Sequence, residues 1–281
     1  VDWTGNPATG TGGSPIYGNW FKFSVALYSG RGGVADFGQN SLLSNIDIPT
    51  GFNYLTQDNI TSSDQFISAF SWIKNRDAAD NHMLFDRVRG ATKDMHSNTT
   101  AAEVTNVNTL QRFLEAGVQV GNDVEVNTAN ESYVLWNFMA EATGSGTLNE
   151  VGSIDSTVLV DTTLGMSVGT YTGNLSASQT IGHGLGVTPQ MVLFKNTSVA
   201  MDWVVYHEAL GNAQMVILNK TDAKQGSAGV WGSTSPTSSV LAVSNNASVN
   251  GSGNTMMFIA FAPSEYISIG SYEGNGNANG T

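Results

Sequence analysis

The stretch Met191-Val-Leu-Phe-Lys-Asn-Thr-Ser-Val-Ala-Met-Asp-Trp-Val-Val-Tyr-His207 carries two short apolar runs, Met191 to Phe194 and Trp203 to Tyr206, with polar residues between them. Each run is too short for a helix and rich in β-branched and aromatic side chains, which pack well on a pleated surface. Runs of the same kind recur at Phe23 to Tyr28, Val134 to Met139, Met215 to Leu218 and Met256 to Phe261, mostly beside Gly, Asn, Ser or Pro. Turn signals fall about 8–12 residues apart, the spacing of an antiparallel β-sandwich. An all-β fold is therefore expected. Helix is expected in two places only: Asp58 to Ile73, which opens on polar capping residues, and a single turn over Leu110 to Glu115.

Of 281 residues only 12% are charged, about half the usual share, while 40% are hydrophobic and 6 Trp, 8 Tyr and 12 Phe are present. That much apolar surface can drive folding, so the low charge does not signal disorder. Polarity comes instead from Asn, Ser, Thr and Gly, as in Ser97-Asn98-Thr99-Thr100 and Ser244-Asn245-Asn246-Ala247-Ser248. Their short side chains bond to nearby backbone and favour turns over helix interiors. A net charge of -12 repels phosphate backbones and anionic headgroups at long range, so neither nucleic acid nor membrane is an expected partner. Zero Cys excludes disulfides, thiolate catalysis and Cys-ligated zinc. No apolar run approaches the length of about eighteen residues that a spanning helix needs. The start, Val1-Asp2-Trp3, lacks Met and is expected of a processed or trimmed chain.

The sequence also repeats itself. Phe23-Ser-Val-Ala-Leu-Tyr28-Ser-Gly30, Met166-Ser-Val-Gly-Thr-Tyr171-Thr-Gly173 and Ile267-Ser-Ile-Gly-Ser-Tyr272-Glu-Gly274 read as three versions of one strand. After the first two, Trp72-Ile-Lys74-Asn75 aligns with Leu193-Phe-Lys195-Asn196. Without a gap, Leu84-Phe85-Asp86 then falls on Val205-Tyr206-His207, Gly90 on Gly211, Asn98 on Asn219 and Thr100 on Thr221. Further on, Tyr133-Val-Leu-Trp-Asn-Phe-Met-Ala140 matches Met256-Met-Phe-Ile-Ala-Phe-Ala-Pro263. Tandem antiparallel β-sandwich repeats, jelly-roll or lectin-like, are expected. Residues 1–150 would form a first unit with an N-terminal extension. Residues 151–281 would form a second unit plus the first strand of a further one, so the native chain is expected to continue past Thr281. Inward aromatics are expected at Trp72, Phe85, Trp136 and Phe138 in the first unit, and at Phe194, Trp203, Tyr206, Phe258 and Phe261 in the second.

Candidate chemistry is sparse. Lys74-Asn75 and Lys195-Asn196 end a strand before a polar loop; each Lys is read as topping its sandwich, with ligand binding as the alternative. None of His82, His96, His183 and His207 lies in a metal-ligand pattern. Gly182-His-Gly-Leu-Gly186 precedes Pro189 and a strand instead of a helix, which makes it a turn and not a phosphate cradle. Asp77, Asp80 and Asp86 could be built into a glycosidase pair, since such carboxylates stand about 5–10 Å apart. However, the second unit has Ser198 and His207 where the first has Asp77 and Asp86. Surface ion pairs with Arg76, Arg87 and Arg89 are the simpler reading. No calcium-loop pattern occurs. Neither a catalytic nor a cofactor-binding nor a metal-binding residue is assigned, no cofactor is expected, and ligand-binding residues stay open. The Asn-x-Thr sites at Asn98 and Asn219 are read as composition and not as glycan acceptors.

The stretch Trp72-Ile-Lys-Asn-Arg-Asp77-Ala-Ala-Asp-Asn-His82-Met-Leu-Phe-Asp86-Arg-Val-Arg-Gly-Ala-Thr92 resembles an uncharacterised domain that recurs in structural and tail-fibre-like proteins of marine bacteriophages, chiefly of cyanobacteria and abundant ocean heterotrophs. Tyr171-Thr-Gly-Asn174, Gly182-His-Gly-Leu-Gly-Val-Thr-Pro189 and Trp203-Val-Val-Tyr-His207 are similar to the other half of that family. The resemblance covers about residues 66 to 275. It implies a non-enzymatic virion component with a lectin-like sandwich, and it brings no site residues with it. The Arg after Lys-Asn stands at Arg76 but is replaced by Thr197, so no role of that Arg is common to both units.

Two classes of function stay open at this point. One is a tail-fibre or other surface-appendage segment on the virion surface. It would assemble as a homo-oligomer, with a trimer favoured, beside other virion proteins, and its Asn, Ser, Thr and aromatic loops would contact host glycans. The other is a capsid decoration or head-fibre protein without a receptor. A polysaccharide depolymerase is the minor third reading.

Overall fold

The computed structural model describes residues 67–114, 117–140 and 144–278, all within one compact unit spanning Ser63–Thr281. The Phe23–Gly30 strand copy, the N-terminal extension and the first part of the helix expected over Asp58–Ile73 lie outside the described residues.

Strands β1 (Ile67–Asn75), β2 (Met83–Asp86), β3 (Lys93–His96) and β4 (Val104–Thr105) run as an antiparallel meander. A hairpin of β5 (Leu110–Leu114) and β6 (Gly117–Val120) follows, then the single-turn helix α1 (Val124–Asn127), then β7 (Tyr133–Ala140), which returns to pair with β1. The sheet order is β4-β3-β2-β1-β7. A second sheet collects β8 (Thr147–Asn149), β9 (Ser156–Asp161), β10 (Met166–Thr172), β12 (Met191–Asn196), β13 (Val204–His207), β14 (Gln214–Ile217), β15 (Gln225–Gly226) and β17 (Thr255–Phe261). Its order is β15-β14-β13-β12-β17-β10-β9-β8. Strands β11 (Gln179–Gly182) and β16 (Val240–Val243) pair apart from it, and α2 (Ala247–Asn250) precedes β17. Every ladder between these strands is antiparallel, so the protein is all-β.

Alternation along the strands fixes the layers, because successive side chains point to opposite faces. On the second sheet Val192, Phe194, Val204, Tyr206 and Phe258 face one way and pack on Ile181, Leu241 and Val243 of the β11/β16 pair. Leu193, Val205, Met257 and Ile259 face the other way and meet Phe70, Leu84 and Met95 of the first sheet. The far face of the first sheet, with Ile73, Met83 and Phe85, packs on Leu110 and Val126 under the β5/β6 hairpin. The two large sheets therefore share a core, and hydrogen bonds stitch that seam. Trp203 Nε1 donates to the His96 carbonyl (2.8 Å), Glu103 N to the Thr197 carbonyl (2.9 Å) and Lys195 Nζ to the Thr100 carbonyl (2.9 Å).

The ungapped alignment read from sequence has counterparts in the hydrogen bonding. Asn98 Oδ1 accepts from His82 N, and Asn219 Oδ1 from Trp203 N; Asn98 Nδ2 donates to Asn81, and Asn219 Nδ2 to Asp202. Asn75 Oδ1 caps the N–H groups of Asp77 and Ala78, as Asn196 Oδ1 caps those of Ser198 and Val199. These are Asx turns, in which a short side chain stands in for backbone.

Three expectations are corrected. Residues 67–73 form strand and not helix: β1 pairs with both β2 and β7, and that non-local pairing overrides the local capping pattern. Leu110–Leu114 is likewise a strand, held by its hairpin with β6. The third strand copy, Ile267–Gly274, forms no strand. The matching β10 is held by β9 and β17, whereas 267–274 has no ladder partner among the described residues. Both single-turn helices escaped sequence reading. Their signal is an Asx cap: Asp123 accepts from Glu125 N, and Asn246 from Ser248 N.

Candidate functional site

The register of β1 and β7 sets Phe70 opposite Phe138 and Trp72 opposite Trp136 on one face. Such cross-strand neighbours lie about 5 Å apart at Cβ, so their rings must meet. Trp72 and Trp136 do so edge-on at 5.8 Å between centroids, and Phe70 and Phe138 at 5.7 Å. Phe138 continues the row to Phe261 of the second sheet at 6.0 Å. Beyond Phe138 the row opens into a groove of about 360 Å³. Phe70, Trp72 and Phe138 form one wall, Met191, Leu193, Val205, Leu218, Ile259 and Phe261 the other, and Ile267–Ile269 close one side.

Trp136 belongs to this row but is 48% exposed, against the expectation that it points into a core. The reason is position: among the described residues β7 has a neighbour on one edge only. Of the other expected core aromatics, Phe85, Phe194, Trp203, Tyr206 and Phe258 are buried, while Trp72, Phe138 and Phe261 are partly buried against the shared core. The outer end of the row is polar. Trp72 Nε1 donates to His82 Nδ1 at 2.9 Å. Burial, helped by the Lys74 charge, lowers the His82 pKa and favours the neutral ring that this acceptor role requires.

The titratable residues singled out in the sequence are mostly absorbed by structure. Lys195 is fully buried, donates to the Thr100 and Met201 carbonyls (2.9 and 2.6 Å), and has its pKa pushed down by burial to about 8. Lys74 Nζ bonds to the Asn75 and Ala78 carbonyls. His183 is buried: Nε2 lies 3.1 Å from the Thr237 carbonyl and Nδ1 accepts from Leu185 N, so this Gly-rich segment is a packed turn. His207 Nδ1 caps a short turn by accepting from Ala209 N. His96 Nε2 stands 3.7 Å from Glu125.

Each of the three aspartates has a structural partner. Asp77 accepts from Ser132 N, Asp80 from Asn75 Nδ2, and Asp86 binds Arg89. The Asp86–Arg89 pair is not at the surface as expected: both side chains are buried and Arg89 also reaches Glu103 at 3.2 Å. Asp94, which sequence reading passed over, is 4% exposed, and burial raises its pKa to about 6. His96 lowers that value, while Glu125 and Asp123 raise it further. No group of three or more His, Cys, Asp or Glu among the described residues is placed to hold a metal ion.

Fold and surface thus define an all-β domain built on two large sheets, with an exposed aromatic row that has a polar end. The chain belongs to the family of the domain of unknown function DUF7483, whose model matches residues 48–281 and so runs across both sheets. No curated protein matches the chain, and no solved structure matches it. No helix among the described residues is long and apolar enough to cross a membrane.

Proposed function

We propose that this chain is a non-enzymatic structural protein of a phage virion, a segment of a tail fibre or other surface appendage that assembles with neighbouring subunits and contacts host-surface glycans. The observation that carries this reading is the half-exposed Trp136, which meets Trp72 edge-on within the ladder between β1 and β7. An indole face presented this way stacks on a sugar ring, and neutral Asn, Ser and Thr side chains, which this chain carries in abundance, are the groups that pair with hydroxyls. The resemblance to phage structural proteins adds the virion context. Each contact is weak, and firm attachment comes from repetition of the contact in the assembled particle.

Cell retention of the assembled protein, measured against that of the isolated chain, tests the proposal. Assembled protein is expected to bind host cells far more tightly than the isolated chain; equal affinity overturns the avidity mechanism. Binding to virion shells but not to cells would favour the capsid-decoration reading. Release of new reducing ends from host polysaccharide would overturn the non-enzymatic one.

A further inference from the structure

Strand register sets three positions of the first meander on three of the second. Trp72 stands opposite Leu84 on β2 and Trp136 on β7, as Leu193 stands opposite Val205 on β13 and Ile259 on β17. His82 and Trp203 each stand one residue before the next strand of their meander, with their N–H groups held by Asn98 and Asn219. In the second meander these places serve packing: Leu193, Trp203 and Ile259 are buried in the core shared by the sheets. In the first they hold Trp72 and His82, both partly buried, and the half-exposed Trp136. The framework closes on Leu, Trp and Ile, so it does not by itself call for Trp, His and Trp.

Those three side chains are coupled. Trp72 Nε1 donates to His82 Nδ1 at 2.9 Å, the two rings meet edge-on at 5.7 Å between centroids, and Trp72 meets Trp136 edge-on at 5.8 Å. His82 is itself anchored, since its N–H donates to Asn98 Oδ1 (3.0 Å) and its carbonyl accepts from Ser97 N (3.3 Å). A ring nitrogen accepts only while it carries no proton, so this bond leaves the single ring proton on Nε2. A second proton turns Nδ1 into a donor facing another donor, and the bond to Trp72 is lost. Lys74 on β1 is the charge that acts on this ring, Glu125 on α1 holds its neighbour Asn81, and His96 on β3 stands opposite the next residue, Met83. Burial, and after it Lys74, opposes the second proton, which places the change on the acid side of the ordinary 6.5.

We propose that His82 is a positioning residue of the sugar-contact row: as an acceptor it fixes Trp72 and through it the face of Trp136, and on protonation it releases both. Sugar is then held at neutral pH and let go in acid. The inference rests on the reading of Trp136 as a glycan contact. It narrows the ligand to neutral pyranose chains, because an indole face stacks on the C–H face of the ring while a chain of net charge -12 repels acidic sugars.

The test follows the indole N–H resonances of the full-length, isotope-labelled chain, in which Trp72→Phe and Trp136→Phe identify two of the 6 Trp signals. As pH falls from about 8 to about 4, the Trp72 signal is expected to move as its hydrogen bond breaks, and the Trp136 signal to follow with the same midpoint. A soluble cello-oligosaccharide, used as the probe, is expected to shift Trp136 at neutral pH and to bind at least about tenfold more weakly in acid. His82→Gln, whose amide oxygen accepts but does not titrate, should keep the neutral affinity and lose the acid dependence. His82→Leu should bind at least about tenfold more weakly at every pH. Trp72 and Trp136 signals that ignore pH, or an acid dependence that survives in His82→Gln, overturn the role of His82. A pH response of both indoles with no response of Trp136 to the sugar at any pH overturns the glycan reading instead, and leaves the coupling of His82 to the indoles standing.

Discussion

Strands β17 and β7 hold the same place in their meanders, each pairing with the first strand of its own set, yet their surroundings differ. Met256 to Ala260 of β17 are all buried, whereas on β7 only Ala140 is. Strand β17 has a strand on either side and a hydrophobic core on each face, one under β11/β16 and one shared with the first sheet. Among the described residues β7 stands at a sheet edge. A strand buried on both faces reads as a continuous apolar run, while an edge strand keeps polar breaks, which is visible in Met256-Met-Phe-Ile-Ala-Phe261 against Val134-Leu-Trp-Asn-Phe-Met139. Position in the sheet, more than residue type, decides whether an aromatic at this place is core or surface.

The sharpest way to break that comparison is a pair of matched truncations. Phe258→Ala is expected to cost about 3–5 kcal/mol in urea unfolding. Its counterpart Leu135→Ala, at a half-exposed edge, should cost less than about 1 kcal/mol. Equal losses would show that β7 is as enclosed as β17.

Next in size is Lys195→Met, which leaves the Thr100 and Met201 carbonyls without their donor at the seam between the sheets. A loss of about 1–3 kcal/mol is expected, and less for Lys74→Met, whose carbonyl partners lie in its own loop. The titration of Lys195 sharpens this. With its pKa lowered from 10.5 to about 8, the unfolded chain binds the proton more strongly, so the Lys195 contribution to stability rises with pH between about 8 and 10.5. A pH series of denaturation midpoints should show that rise in the wild type and lose it in Lys195→Met.

Asp94 carries the opposite sign. Its raised pKa means that the folded chain holds the proton, so its contribution is fully present below about pH 4 and lost as pH climbs through about 6. Asp94→Asn should flatten that part of the same series. The smallest effect on stability is expected from Trp136→Ala, within about 1 kcal/mol, together with a loss of host-cell binding of at least about tenfold. A variant that binds cells normally removes Trp136 from the contact surface.

Much of this was legible before any coordinates. The runs at Met191–Phe194, Trp203–Tyr206, Met215–Leu218 and Met256–Phe261 fall on β12, β13, β14 and β17 apart from Trp203 and Leu218, each one residue outside its strand, and the pairing of Asn98 with Asn219 in the alignment points to hydrogen bonds that match group for group. Ile67–Ile73 was misread because a capping pattern is local, whereas its strand state comes from partners at Met83–Asp86 and Tyr133–Ala140. The aromatic row was hidden for a related reason. Trp72 and Trp136 lie far apart in the chain, and only the register brings them to 5.8 Å. Similarly, nothing in Lys195 itself announced a fully buried cation.

By itself, the sequence determined that the chain is built from short antiparallel strands, because β-branched and aromatic runs between Asn, Ser, Thr and Gly turns admit little else. It also set which residues alternate to which face. The tertiary structure alone decided that two meanders share a core, and that Trp136 stays open while Ile259, at the matching position, is sealed. Those outcomes depend on which strand edges meet, and edge pairing is a property of the folded sheets that local pattern does not carry.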